Sequence, residues 1–242
     1  MPRILLVAQD KGGSGKTLLV RALAECLPTA PLIEIEANHR LVELDDRLDF
    51  FPVRADRGEI DRTGGQAARE EFDGALNKIA AAKGPTIVDV GANTSSSFLP
   101  LIGAARARYT RRGVSFGVLA VVTAEPGAVA NIPVLLGLAR QFSTALFVVE
   151  NQVENPVDPK LLKAFGKDVT LSALPKLSLD ARANGLLQKG GLRFIGEELA
   201  QAEENLSASF GFTEAGRIIE DLTGFRARAM EAVAPAARWL EG

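Results

Sequence analysis

One short glycine-rich stretch constrains this chain more than any other part of its sequence. It reads KGGSGKT, from Lys11 to Thr17, and it lies between the apolar run 4–8 and the helix-like run 18–25. Glycines let the backbone N–H groups of such a loop turn inward with no Cβ in the way, which forms a concavity for an anion. A helix that follows directs its positive end to the same place. Strand, loop and helix together predict a phosphate-binding loop.

Each residue type in this loop has a chemical reason. The lysine at position 16 can reach the β- and γ-phosphates of a nucleotide, and the hydroxyl of the next residue can bind Mg²⁺. The loop amides would hold the phosphates themselves. An ordinary glycine-rich surface turn is the alternative. The residues predicted to contact the nucleotide are Gly12, Gly13, Ser14, Gly15, Lys16 and Thr17.

The loop also departs from the general pattern G-x-x-x-x-G-K-[ST], because Asp10 stands at the first glycine and a second lysine, Lys11, precedes Lys16 by five residues. In this it resembles the deviant Walker A box, KGGxGK[ST], of the ParA/MinD group of dimerising P-loop ATPases. The resemblance implies ATP and Mg²⁺ as cofactors, slow ATP hydrolysis and an ATP-dependent homodimer. It also implies that Lys11 crosses the dimer interface to the partner's nucleotide, whereas a solvated loop charge is the alternative.

Short apolar runs alternate with longer helical patterns along the first 150 residues. The alternation predicts an α/β fold, a doubly wound and mostly parallel sheet with helices on both faces. After about residue 156 the sequence pattern predicts mostly helices. We expect one domain over residues 1–242, with a helical extension from about 190. The predicted strands are 4–8, 31–35, 86–90, 116–123 and 145–149, and the predicted helices are 66–82, 100–111 and 131–142.

Two stretches have a weaker pattern. Residues 42–65 are rich in Asp, Arg and Gly, which predicts a surface loop or short irregular elements. Near the C-terminus, arginines alternate with large apolar residues, but Pro235 interrupts the pattern. A final packing helix is therefore favoured over a membrane-surface segment.

Composition narrows the setting of the protein. The net charge is −2 over 242 residues, so DNA binding is possible but has no support from overall charge. The basic stretch 106–112 is read as solvated surface. Cys26 is the single cysteine, and neither a leader peptide nor a membrane-spanning apolar run is apparent. These features predict a cytoplasmic protein without a transmembrane segment.

A carboxylate follows another predicted strand. Asp89 ends the run TIVD and is followed by small residues, and a carboxylate in such a place can bind Mg²⁺ directly or through water. Taken alone, it could be a turn residue. The segment resembles the Walker B region of the ParA/MinD family. Its continuation, DVGANTSSSFLPL, is similar to the TraL/StbB-like branch of plasmid mobilisation and stability ATPases, where D-x-G-A precedes Ser-Phe-x-Pro-Leu.

The second predicted strand ends in Glu34 and Glu36, where the family has D-x-D. By resemblance, Glu36 would position the attacking water and Glu34 would lie near the Mg²⁺ shell. Because glutamate is one methylene longer than aspartate and small misplacements slow catalysis, a chain that binds ATP without appreciable hydrolysis is the alternative. His39, the only histidine, is read as a surface residue with a conceivable part in switch movement.

The strand 145–149 leads to Asn151. In the family an asparagine here commonly hydrogen-bonds adenine, and a turn or helix-cap residue is the alternative. The resemblance as a whole predicts a switch ATPase with Lys11, Lys16 and Glu36 in catalysis, and it implies a partner or cargo protein of a plasmid partition or DNA-transfer system. A nucleotide-bound scaffold is the second hypothesis, and a P-loop ligase or small-molecule kinase is the third.

Overall fold

A parallel sheet forms the centre of the chain and carries the glycine-rich loop at the carboxyl ends of its strands. The computed structural model describes residues 1–54, 66–189, 192–193 and 199–242. Its strands are β1 (Arg3–Ala8), β2 (Leu32–Glu36), β3 (Leu48–Pro52), β4 (Thr86–Val90), β5 (Ser115–Val122), β6 (Ala145–Asn151) and β7 (Val169–Leu174). Within these ranges the strands pair in parallel in the order β3-β2-β4-β1-β5-β6-β7. The predicted α/β class, a doubly wound parallel sheet, is confirmed.

Helices cover both faces of this sheet. They are α1 (Lys16–Cys26), α2 (Gln66–Ala80), α3 (Ser95–Arg111), α4 (Pro126–Ala139), α5 (Pro159–Ala164), α6 (Ala181–Gln188), α7 (Leu199–Phe210) and α8 (Phe212–Glu241). Side chains of a strand alternate between the faces. Leu5 and Val7 of β1 therefore pack with α1, α6, α7 and α8, while Ile4 and Leu6 pack with α2, α3 and α4. Two apolar cores result, and they explain the continuous apolar runs of the central strands.

Two strands lie where none was predicted. Residues 42–47 form a 3₁₀ helix, which agrees with the predicted short elements, but the strand β3 that follows was not predicted. Residues 55–65 lie outside the described residues. β7 likewise interrupts the stretch that was predicted to be mostly helical. Both are edge strands with largely half-buried or exposed side chains, so they lack the apolar run that marks the central strands.

The C-terminal part is helical, as predicted. α8 runs for 30 residues and includes Pro235 in its interior, so this proline does not end the helix. The helix packs on α1 and on the sheet, where the Trp239 ring fills the space above Gly117. A Cβ at position 117 would lie 2.5 Å from that ring. No helix within the described ranges has the length and apolar character needed to cross a membrane.

Candidate functional site

The glycine-rich loop lies between β1 and α1, at the carboxyl edge of the sheet where ligands of such folds bind. Gly13 and Gly15 adopt left-handed φ angles of 77° and 91°, which residues with a side chain rarely adopt. Helix α1 begins directly afterwards at Lys16. The tight turn therefore points the amide end of the helix at the mouth of the loop, as an anion site requires.

Lys16, Thr17 and Asp89 meet at the start of α1. β1 and β4 are adjacent, with Val7 opposite Asp89, so the strand end that leads into the loop pairs with the strand that carries the carboxylate. The Thr17 hydroxyl donates a hydrogen bond of 3.1 Å to Asp89 Oδ2. Burial raises the pKa of Asp89 to about 6. Burial also lowers the pKa of Lys16, although Asp89 nearby opposes the shift.

The residues at this point fit a magnesium ion bound with nucleotide. Asp89 Oδ1 and the Ser14 hydroxyl are buried and have no hydrogen-bond partner, and buried polar atoms are normally satisfied. The described residues contain no cluster of three or more His, Cys, Asp or Glu that could hold a metal alone. Mg²⁺ commonly needs only one or two protein oxygens, because substrate phosphates and water complete its shell. Thr17 and Asp89 supply that number.

Glu34 is buried beside Asp89, its register partner on the neighbouring strand. One of its oxygens accepts the backbone N–H of Arg40 at 2.9 Å, and the other lies 2.5 Å from His39 Nδ1. The second ring nitrogen of His39 lies 2.7 Å from Asp45, and its ring stacks on Phe50. The hydrogen bond to Glu34 raises the pKa of His39. Glu34 thus holds the loop after β2, and its place near a Mg²⁺ shell stays a prediction.

Glu36 joins the ends of β2 and β4. Its Oε1 accepts the N–H of Ala37 at 3.0 Å, and its Oε2 accepts the N–H of Ala92 at 3.4 Å. The backbone at Gly91 is close to β2, where a Cβ would lie 2.7 Å from the Ile35 carbonyl oxygen. A glycine is therefore needed after the Asp89 strand for Glu36 to reach its neighbour. The role of Glu36 in positioning water remains a prediction.

Lys11 extends away from its own loop. Its Nζ forms an ion pair of 2.8 Å with Glu125 at the start of α4, and both side chains are about half exposed, at 46% and 50%. The stem of Lys11 passes close to Gly127. Its contact with a partner's nucleotide stays a prediction. Sequence reasoning missed Glu125, because a carboxylate before a helix proline is common at helix starts.

Gln9 is a buried amide that fixes the base of the loop. Its Nε2 donates to the carbonyl oxygens of Val121 and Ala128 at 2.7 and 3.2 Å. Its Oε1 accepts from Asn131 Nδ2 at 2.6 Å and from the N–H of Lys11 at 3.2 Å. The amide therefore ties the loop to β5 and α4. Its only signal in the sequence is a polar residue at the end of an apolar run.

Asp10, the residue that departs from the general loop pattern, connects the loop to α3. Its carboxylate accepts the N–H of Ser95 at 2.8 Å, at the first turn of that helix, and its carbonyl accepts the N–H of Asn93 at 3.1 Å. A carboxylate in this position satisfies a free amide at the helix start. The residue thus couples the phosphate-binding loop to the segment that follows Asp89.

Asn151 supports the loop from the other side. Its Nδ2 donates to the carbonyl of Ser14 at 3.0 Å, and a Cβ at Gly15 would lie 2.3 Å from that nitrogen. The predicted hydrogen bond to adenine stays a prediction, since one donor of the amide is used here. A cleft of about 410 Å³ opens next to Gly13, between the segments that follow β5 and β6. Its position at the carboxyl edge suits a nucleotide that is held by the loop.

Searches for relatives gave similar structures only. No protein-family model and no curated protein matches the sequence. The MinD cell division protein of Aquifex aeolicus is 14% identical with a TM-score of 0.47, over 92% of this chain and 97% of that chain. An ATP complex of a Cyanothece McdA variant is 17% identical with a TM-score of 0.47, over 93% and 96%.

A nucleotide-binding protein from Archaeoglobus fulgidus, solved in complex with ADP, is 15% identical with a TM-score of 0.47, over 77% of this chain and 86% of that chain. At these values the similarity carries no function from those proteins to this chain.

Asp89 leads to a prediction about stability. Because burial raises its pKa to about 6 from an ordinary 3.8, the ionised carboxylate destabilises the folded chain above pH 6, and this cost disappears as the pH falls to about 4. Asp89→Asn should therefore raise the free energy of unfolding in EDTA at neutral pH, by on the order of 3 kcal/mol. Urea unfolding of wild type and variant at neutral pH and at about pH 4 measures the effect. Asp73→Asn, an exposed control on α2, should show no such pH-dependent gain, and an equal gain at both pH values for Asp89→Asn would contradict the prediction.

Proposed function

We propose that this protein is a nucleotide-dependent switch ATPase of the ParA/MinD type. The observation that carries the proposal is the contact between the Thr17 hydroxyl and Asp89 at the head of α1, with Lys16 buried beside them. The loop amides and Lys16 would bind the phosphates of ATP, while Thr17 and Asp89 would hold Mg²⁺. The motif order of the sequence supports the same assignment.

Hydrolysis would use groups that lie around the same point. Mg²⁺, when bound, would neutralise charge on the phosphates. Lys16 would bind the β- and γ-phosphates, and Glu36 would orient the attacking water at the edge between β2 and β4. Glu34, next to Asp89 on the neighbouring strand, would support the site through its charge and through its hydrogen bonds to the loop after β2. Asn151 would contact adenine through the part of its amide that Ser14 does not use.

The switch itself would be a homodimer formed with ATP and released by hydrolysis. A ligand shifts such an equilibrium only when it binds one state more tightly than the other. Lys11 would provide that difference by reaching the nucleotide held by the partner subunit. Its support is that Lys11 is half exposed and directed toward α4 rather than toward its own phosphate site.

The output we propose is positional, in the cytoplasm of a bacterial cell. The protein would place plasmid DNA, a conjugal transfer complex or another cargo through a partner protein. The support is the likeness of the segment 89–101 to the TraL/StbB-like branch. Direct DNA binding has no support from the net charge of −2.

A second candidate is a nucleotide-bound scaffold with negligible turnover. The specific observation in its favour is that Glu34 and Glu36 replace aspartates, and that Glu36 reaches backbone amides at both strand ends. A P-loop ligase or small-molecule kinase is a third and weaker candidate, because no acceptor-substrate pocket can be identified from the sequence.

The phosphate-binding assignment predicts a loss of nucleotide affinity on two substitutions. Lys16→Ala and Thr17→Ala should each weaken binding of an ATP analogue with Mg²⁺ at least about tenfold, because each removes a charge-assisted or metal contact. Fluorescence titration with a labelled analogue measures this. Thr17→Ser, which keeps the hydroxyl, is the matched control and should bind nearly as wild type. Affinities in both alanine variants equal to wild type would refute the assignment.

The dimer predicts a separate effect for the other lysine. Lys11→Ala should still bind ATP, because Lys16 and the loop amides hold the phosphates of its own subunit, but it should lose ATP-dependent dimerisation. Light scattering with and without ATP tests this. The control is Lys78→Ala, since Lys78 has the same exposure of 46% and an ion pair of 2.8 Å with Asp49. An ATP-stable dimer of the Lys11 variant would leave that residue an ordinary surface charge.

Turnover separates the switch from the scaffold. If Glu36 positions water, Glu36→Gln should keep ATP affinity and lower the single-turnover rate by about 10²-fold, because the charge that orients the water is lost. Glu220→Gln, at an exposed position of α8, is the control. A wild-type protein without measurable hydrolysis, or a Glu36 variant as fast as wild type, would favour the scaffold.

A further inference from the structure

Arg40 has a backbone held by hydrogen bonds and a largely exposed side chain beside the proposed site. Its N–H donates to the buried Glu34 carboxylate at 2.9 Å, and its carbonyl accepts from Arg21 Nη2 of α1 at 3.0 Å. Arg21 is held in turn by Glu43, with its Nε 2.6 Å from Oε1. The main chain at position 40 is therefore fixed between β2 and α1, while the Arg40 side chain is 56% exposed.

In the part of the chain that the structure describes, the Arg40 guanidinium forms one ion pair, with Glu36, and the contact is long. Arg40 Nε lies 4.0 Å from Glu36 Oε2, beyond hydrogen-bond range. Its charge also reaches Lys16, since the positive charge of Arg40 adds to the lowering of the Lys16 pKa that burial causes. The contact itself places Arg40 beside Glu36, the carboxylate at the edge between β2 and β4 that is proposed to orient water. Two cations near each other repel, and an anion between them removes that repulsion.

If Glu36 orients the attacking water, the last phosphate of a nucleotide held by the loop would lie next to that water and therefore near Arg40. Arginine binds phosphate through two parallel N–H···O contacts, which lysine cannot do. The distance to Glu36 leaves the guanidinium free to exchange this carboxylate for a phosphate. We propose that Arg40 contacts the terminal phosphate of bound ATP from within the same subunit, opposite Lys16. The inference rests on the proposed function and adds a residue that would contact the third phosphate of ATP.

The exchange has a consequence for discrimination between nucleotides. ADP lacks the phosphate that Arg40 would contact, so the arginine would stay with Glu36 in the ADP state. ATP would draw the guanidinium away and leave Glu36 free to orient water. Arg40 would therefore favour ATP over ADP and prepare the carboxylate for its role.

The test compares two nucleotides in two variants of the full chain. Calorimetry with Mg²⁺ should show that Arg40→Ala weakens binding of the non-hydrolysable analogue AMPPNP about tenfold or more, as expected for a charged hydrogen bond, while ADP affinity stays within about twofold. Arg40→Lys should lie between wild type and Arg40→Ala, because it keeps the charge but loses the paired contacts. Arg111→Ala, exposed at the far end of α3, gives the same change in net charge and should alter neither affinity.

Several outcomes would overturn the inference, and they differ from a failure of the proposed function. Equal weakening of AMPPNP and ADP in Arg40→Ala would make Arg40 a structural support for Glu36, and unchanged affinities would remove it from the site. In both cases wild-type binding would leave the proposed function intact. A wild-type chain that binds neither nucleotide would overturn the proposed function together with the inference.

Discussion

The burial of opposite charges at the head of one helix is the constraint on which the rest of the structure depends. Lys16 is 7% exposed and Asp89 is 3% exposed. Burial lowers the pKa of Lys16 and raises the pKa of Asp89, so in each case it favours the neutral form. A buried pair of this kind is costly without further partners. The fold holds the pair in place through strand register, because β4 lies between β1 and β2 and brings Asp89 beside both the loop and Glu34. Phosphates and Mg²⁺ would supply the charges that this arrangement lacks.

A glycine-rich loop has little internal support, so its neighbours determine its shape. Gln9, Asp10 and Asn151 each use a side-chain amide or carboxylate to hold the loop or the segments next to it. Their partners are the main chain of β5 and α4, the start of α3 and the loop carbonyl of Ser14. The loop is thus tied to β5, β6, α3 and α4. Movement of the loop on ligand binding would therefore reach α3 and α4, the elements that carry the segment after Asp89 and the Lys11 partner Glu125.

Much of the fold could be predicted, because the central strands are apolar on both faces. β1, β4 and β5 stand out as continuous apolar runs, and the loop between β1 and α1 identifies the edge of the sheet that binds ligands. β3 and β7 were missed because edge strands expose one side and so have a mixed pattern. A proline inside a helix normally kinks or ends it, yet the helix continues through Pro235, and its buried face packs against the sheet.

The site was only partly predictable for a different reason. Thr17 and Asp89 belong to motifs whose chemistry can be read from residue type and spacing, and the structure brings them into contact. The partners of Gln9 and Lys11 come from segments distant in the chain, so no local pattern indicates them. Arg40 belongs to no motif, and only the fixed backbone around it places its side chain near Glu36.

The most direct test of the central claim is a calorimetric titration of the wild-type chain with AMPPNP, with Mg²⁺ and again with EDTA. Thr17, Asp89 and Lys16 form one charged site in the structure, so we expect one nucleotide per chain and an affinity at least about tenfold higher with Mg²⁺. Binding that is equal in the two solutions would contradict the assigned roles of Thr17 and Asp89. The absence of binding in both would contradict the account of the loop as a nucleotide site.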